Sequence, residues 1–261
     1  MDEKTYLEIY DSVNTFEDAE RISREIHAPV GIVTTILQQK VVRRVIQNHA
    51  RMQRYTERHL RTWEEGNAIL HIAQSNKFPA TLMAAMILKE MGHSKKYINI
   101  MFKNPEKIRD RRLRTEVVQA LNSDYFYSPK AHQNQRARGQ MGENIIKKWL
   151  DVQDIVHLNE NDLRKNGKGK TPDFVLDEPL TIDNTDIRWI ESKATFGEVW
   201  EHQYYYQKQF KHYEKEYGQG LVVYWYGFVD SISLEGHLIK DYEFFDEMTD
   251  VDELLSFAGN W

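Results

Sequence analysis

Two short stretches decide how this chain reads: KTPDFVLD (Lys170–Asp177) and IRWIESKATFGE (Ile187–Glu198). Both are rich in β-branched and aromatic residues and are predicted to form strands. Asp173 opens the first strand directly after Pro172. Glu191 and Lys193 lie two apart on the second, so their side chains share a face. Eighteen positions separate Asp173 from Glu191, enough for a hairpin that sets the strands side by side. Hydrolysis of a phosphodiester requires a cation to neutralise the phosphate, an activated water and support for the leaving oxygen. One magnesium or manganese ion could bridge Asp173 and Glu191, take the Ser192 carbonyl and keep most of its waters. Lys193 would orient or help deprotonate the attacking water. The alternative is a turn at Pro172-Asp173 and a solvated strand end at Glu191–Lys193.

A helix from about Gly142 to Leu150 precedes these strands. Glu143 stands on it with Ile146 and Leu150 at i+3 and i+7, on the inward face of an amphipathic helix. An inward acid needs a partner, and a metal ion or its water is one. The expected order after that helix is DIVHL as a short strand, a polar loop, and the TPDFVLD strand. The EPLTIDNTD stretch follows as a turn region, then the DIRWIESKA strand, a helix from about Glu198 to Tyr217, and GLVVYWYGFV as a buried strand. This is an α/β sheet layer. On the long helix, Val199, Gln203, Tyr206, Phe210, Tyr213 and Tyr217 form a stripe read as core, and His202 and His212 are not expected to bind metal. The cations of the loop from Arg164 to Lys170 are expected either beside the site, holding a substrate backbone, or in a solvated loop.

The first 130 residues are predicted to be all-helical, with breaks at Pro29, Pro79 and Pro105. Two stretches, Ala19 to Leu37 and Ile69 to Leu88, each read as helix, turn and helix. In the first, Ile22, Ile26, Val33, Ile36 and Leu37 would fill a small core. Val30, Gly31, Thr34, Thr35 and Gln38 would then face outward and approach bases in a major groove, as in a helix-turn-helix. A plain helical hairpin is the other reading. The second unit, with Met83, Ala84, Ala85 and Met86, reads as packing. The turn-rich stretch Asn122 to Gln135 is expected to be the linker, giving a helical nucleic-acid-binding region at 1–130 and a sheet domain at 131–261.

Composition supports this division. Residues 1–130 hold 21 Lys and Arg against 16 Asp and Glu, whereas residues 131–261 hold 14 against 24. A basic front suits a polyanion and an acidic back suits a cation; ordinary charge fluctuation is the other reading. The chain has no cysteine, which excludes disulfides, thiolate nucleophiles and sulfur-based zinc sites. No apolar run approaches a membrane span, and the acidic first residues lack a signal-peptide core. A soluble protein is expected, cytoplasmic in a prokaryote and open to the nucleus in a eukaryote.

The strings KTPDFVLD, IRWIESKATFGE, GLVVYWYGF, GENIIKKWL and FPATLMAAMIL together resemble the TPD-motif nuclease family of the PD-(D/E)xK class. That family is similar to the archaeal Holliday-junction resolvase branch of restriction-endonuclease-like folds. The resemblance implies an αβββαβ core, metal ligation by Asp173 and Glu191, a catalytic Lys193 and a supporting acid at Glu143. Gln209, with Tyr213 four residues on, matches the family's glutamine-x-x-x-tyrosine helix. The implied activity is a magnesium- or manganese-dependent endonuclease acting on duplex or structured DNA. An inactive nuclease fold serving as a DNA-binding regulator, or an RNA-processing nuclease, are the competing readings. Nucleic acid, foremost DNA, is the expected partner. A homodimer and a codanin-like protein, as in the family's eukaryotic branch, are further partners; the lack of cysteine and a simpler N-terminus are departures from that branch.

Overall fold

The computed structural model describes residues 1–165, 169–232, 236–245, 247–248 and 250–256. Helices α1 (Glu3–Ser12), α2 (Phe16–Glu25), α3 (Val30–Arg54), α4 (Thr56–Glu64), α5 (Ile69–Ser75), α6 (Ala80–Glu90), α7 (Lys95–Lys103) and α8 (Arg111–Asn122) come first. Helix α9 (Pro129–Val152), β1 (His157–Asn159), α10 (Glu160–Lys165), β2 (Phe174–Ile182) and β3 (Thr185–Lys193) follow. The chain continues through α11 (Val199–Tyr205), a π-helical turn (Tyr206–Phe210), α12 (Lys211–Tyr217), β4 (Gly220–Tyr224), β5 (His237–Asp241) and α13 (Val251–Ser256). The protein is thus a mixed α/β chain with a five-stranded sheet in the order β1-β2-β3-β4-β5. Among the described residues no helix is long and apolar enough to cross a membrane.

Two compact units emerge: residues 1–37 with 137–261, and residues 38–136. The sequence reading drew a single division near residue 130, whereas the first 37 residues group with the sheet. They do so because their apolar face is spent there. Tyr6 stacks on Phe196 with ring centroids 5.5 Å apart, and the Met1 ammonium donates to the Phe228 carbonyl at 2.9 Å. Gly31 lies against the Tyr226 ring and the Leu255 carbonyl so closely that a Cβ would have no room.

This corrects the expected outward face of the first helix pair. Gly31, Thr34 and Thr35 are buried, and Val30 and Gln38 are half-buried. The threonine hydroxyls are satisfied locally, Thr34 donating to the Val30 carbonyl and Thr35 to that of Ile32, each at 2.9 Å. Back-bonding of this kind lets a polar side chain enter a core without a distant partner.

In the sheet, β1, β2 and β3 are antiparallel, while β3, β4 and β5 run parallel. Every residue of β4 is buried, as its unbroken apolar run requires. Strand β2 continues to Ile182, so the stretch read as a turn region is mostly strand. The hairpin turn is only Asp183-Asn184, both at positive φ (46° and 60°), the backbone that a two-residue hairpin demands. The expected linker is also shorter, because α9 already begins at Pro129.

The second unit is helical. Ile69, Met83, Ala84, Ile87 and Val117 are wholly buried. Glu116 is buried beside them but accepts from the Trp63 indole, the Ile69 amide (2.9 Å each) and Arg112 (2.8 Å). The α5–α6 pair packs, as the sequence suggested for the second stretch.

Gly220 sits under the Trp189 indole, where a Cβ would collide with the ring. Gly220→Ala is expected to destabilise the protein by about 1–3 kcal/mol, the usual cost of overpacking a filled core. Urea unfolding checks it; an unchanged midpoint would mean that Trp189 can shift.

Candidate functional site: carboxylates on adjacent strands

The register of β2 on β3 builds the site. Phe174 faces Ile190 and Val175 faces Trp189, yet nearer the turn Leu180 faces Ile187. Four β2 residues (176–179) therefore lie opposite the single residue Arg188 on β3. This bulge, holding Pro179 where a ladder N–H is not needed, sets the register at the strand's start. Extended by one residue, that register puts Asp173 opposite Glu191.

The side chains then converge. The Asp173 carboxylate accepts from the Ser192 amide at 2.7 Å. Glu191 is 4% exposed, and its Oε1 accepts from Lys193 Nζ at 2.6 Å, while its buried Oε2 has no hydrogen-bond partner among the described residues. Lys193 Nζ also donates to Gln209 Oε1 at 2.9 Å and lies 4.6 Å from the centre of the Tyr205 ring. Tyr213 anchors the strand entry, its hydroxyl donating to the Thr171 carbonyl at 2.8 Å. Asp173, Glu191, Ser192, Lys193 and Gln209 thus meet in one place.

Glu143 stands further out, with a hydrogen bond of 3.4 Å from Gln140, though within electrostatic reach of Asp173 and Lys193. Its neighbour Gly142 packs so tightly against Trp225 and the Ser192 hydroxyl that no Cβ fits. That contact fixes this turn of α9 against β3.

Burial, and Glu191 beside it, pushes the Asp173 carboxyl up to about 8. Burial raises Glu191 as well, despite Lys193. Burial, Asp173 and Glu160 together push Glu143 up to about 7. Each shift has the sign expected where negative charge is crowded away from water. Such crowding is a mark of functional sites. Among the described residues, no three acidic or imidazole side chains form a ready-made chelating cluster.

Sequence reasoning missed two groups. Glu160, at the start of α10, raises the pKa of all three carboxyls; its only signal was its position just past a short strand. Tyr205 was missed because the helix was read with one uninterrupted phase. The π-turn adds a residue to that phase, so Gln203 is exposed while His202, Phe210 and Tyr213 are buried. As for the basic loop, Arg164 pairs with Glu160 at 2.6 Å, Lys165 with Asp162 at 3.5 Å, and Lys170 donates to the Lys208 carbonyl at 3.0 Å. Asn166, Gly167 and Lys168 lie outside the described residues.

Comparison with known proteins gives this geometry a context. The profile of the family described as "Protein of unknown function TPD sequence-motif" matches residues 109–243, a span holding Thr171-Pro172-Asp173 and every site residue above. The chain belongs to the TPD sequence-motif family. Similar members are the proteins named CDAN1-interacting nuclease 1. The Mus musculus protein is 33% identical and the Homo sapiens protein 32% identical, each alignment covering 76% of this chain and 76% of the relative. The Danio rerio protein is 29% identical, over 89% of this chain and 87% of its own length. No solved structure matches the chain.

Against β4, His202 lies 3.0 Å from the Tyr224 hydroxyl, and burial, with His237 adjacent, lowers its pKa to about 4. The unfolded chain takes up this proton near pH 6.5, so the folded state is favoured fully above that pH. The contribution is lost as pH falls toward about 4, up to about 1–3 kcal/mol in all. The raised carboxyls of Asp173 and Glu143 gain stability over the same range, so the His202 contribution is read as a difference. In denaturant unfolding, His202→Phe should gain stability relative to wild type between pH 7 and pH 5. An equal slope in the variant would assign the acid sensitivity elsewhere.

Proposed function

We propose that this protein is a magnesium- or manganese-dependent nuclease that cleaves nucleic acid at the Asp173–Glu191–Lys193 cluster. The observation that carries the reading is the meeting of these three side chains with Gln209 across β2 and β3, in a chain whose relatives are named nucleases. The sheet, antiparallel over β1–β3 and parallel from β3 to β4 with α9 and α11 flanking in sequence, supports a restriction-endonuclease-like core. A divalent ion fits the residues present. Excess carboxylate is crowded there, and among the described residues the buried Glu191 Oε2 has no partner. Magnesium needs only one or two protein carboxylates besides water and phosphate oxygens.

Asp173, Glu191 and the Ser192 carbonyl would hold the ion, with Glu143 and Glu160 adding negative charge around it. The ion supplies charge neutralisation at the scissile phosphate. Lys193, steered by Gln209 and the Tyr205 ring, holds the hydrolytic water and eases its loss of a proton. On α11, Trp200 and Tyr204 are half exposed and stacked, centroids 6.3 Å apart. Tyr204 meets Tyr205, which lies over Lys193. This row of aromatics supports a nucleic-acid strand as substrate, its bases stacking as the phosphate enters. A codanin-like partner belongs to the same reading, through the relatives' names.

Asp173→Asn and Glu191→Gln are expected to abolish cleavage while the protein stays folded, and in metal-free buffer to melt higher because crowded charge is relieved. Lys193→Met should slow single-turnover cleavage by ~10²–10⁴ and leave manganese affinity, read by calorimetry, in place. Full cleavage by any of the three variants would overturn the assignment. Separately, Trp200→Ala should weaken binding of a single-stranded oligonucleotide by about 1–3 kcal/mol with an unchanged melting temperature. Equal affinity in fluorescence anisotropy would remove α11 from the substrate path.

A further inference from the structure

Dividing the chain by its compact units sharpens its charge pattern. Residues 38–136 contain 19 Lys and Arg against 8 Asp and Glu, while the remaining residues contain 16 against 32. The helical unit is therefore strongly cationic, and its charge surrounds a cavity of about 910 Å³. The floor is apolar, made by Leu82, Met86, Ile98, Phe102 and Tyr127. Lys89, Lys95, Lys103 and Arg136 line the same cavity, and His49, His93 and His132 join them. Among the described residues that line it, none is Asp or Glu.

The four cations are exposed, and none is in an ion pair among the described residues. They contrast with Arg21, Arg61 and Arg112, each paired with an acid on its own helix. Asp124, the acid close behind the floor, is already occupied by the amides of Thr81, Phe126 and Tyr127 at 2.9–3.1 Å. Thr81 itself lines the cavity, and its buried hydroxyl has no hydrogen-bond partner among the described residues. An apolar, partly aromatic floor beneath unpaired cations and a spare hydroxyl calls for a ligand with a planar apolar body and attached anions. The volume is that of a typical small-ligand site.

We propose that this cavity binds a nucleoside phosphate, with the base against Phe102 and Tyr127 and the phosphate among Lys89, Lys95, Lys103 and Arg136. Either a free nucleotide or one nucleotide of a strand carries that chemistry. The proposal does not rest on cleavage at the carboxylate site, and a chain that cuts nothing still tests it.

The experiment uses the full chain without divalent metal. AMP, ATP, adenosine, inorganic phosphate and single-stranded oligonucleotides with and without a 5′ phosphate are titrated by calorimetry, with an acidic peptide as control. The same titrations are run on Lys89→Gln/Lys103→Gln, whose side chains are exposed and whose loss leaves the core untouched. AMP or the oligonucleotides should bind, more tightly than adenosine or phosphate alone. The double variant should lose at least about tenfold, equivalent to about 1.4 kcal/mol. Tighter binding of mononucleotides identifies a free nucleotide as the ligand; tighter binding of the strand, with a shallower salt dependence in the variant, identifies nucleic acid. Equal affinity of wild type and variant, or an acidic peptide binding as well as any nucleotide, would overturn the proposal. Because Lys193→Met leaves this cavity intact, its unaltered nucleotide binding separates this site from the carboxylate cluster.

Discussion

The register of β2 against β3 is the constraint on which the carboxylate site depends. The hairpin turn at Asp183-Asn184 fixes one end of the pairing, and left uninterrupted that register would set Glu191 opposite Leu176 rather than Asp173. Three extra residues on β2 correct this. Because side chains alternate faces along a strand, an odd offset also exchanges which face each β2 residue occupies. The bulge therefore decides both the distance between the two acids and whether they meet at all. A feature that looks like an imperfection in the ladder is the device that assembles the cluster.

Once assembled, the cluster is costly. Burial raises Asp173, Glu191 and Glu143 together, and Lys193 offsets only part of their charge. The surrounding fold holds the groups against that repulsion: Trp189 and Ile190 are wholly buried beside Glu191, and Gly142 lets α9 approach β3 without a side chain between them. A site strained by like charge is stabilised when a cation enters and when its acids are neutralised. Under the proposed function, activity and stability pull in opposite directions at these positions.

The strands that carry the acids were legible because strand alternation is a strong local signal. Glu191 and Lys193 could be placed on one face from spacing alone, with Asp173 on the neighbouring strand, and the GLVVYWYGFV run announced a buried strand. What escaped reading was decided by tertiary contacts. Gly31 and the two buried threonines look, in isolation, like an outward polar face; only the Tyr226 ring and Leu255 carbonyl packed on Gly31 show otherwise. Strand β5, HLIKD, is too short and too polar to stand out. It forms because β4 offers it a parallel edge. The bulge at 176–179 was invisible for the same reason, since DEP reads as a turn until the partner strand fixes both of its ends.

The helix after β3 shows how such a departure can serve the site. With uniform α-helical phase, a face that buries Phe210 and Tyr213 would continue back to Gln203 and Tyr206. The π-turn at Tyr206–Phe210 widens the helix by one residue and moves that face to His202. His202 can then enter the core beside Tyr224, while Tyr205, just before the turn, and Gln209, within it, come within reach of the same ammonium group. A regular helix presents residues four apart on one stripe, and that stripe would have to choose between the core and Lys193. The inserted residue removes the conflict, so that Phe210 packs on Trp189 while its neighbour Gln209 accepts from Lys193 Nζ. π-Turns recur at functional sites for this reason: they are tolerated where a side chain must be aimed more accurately than regular geometry permits.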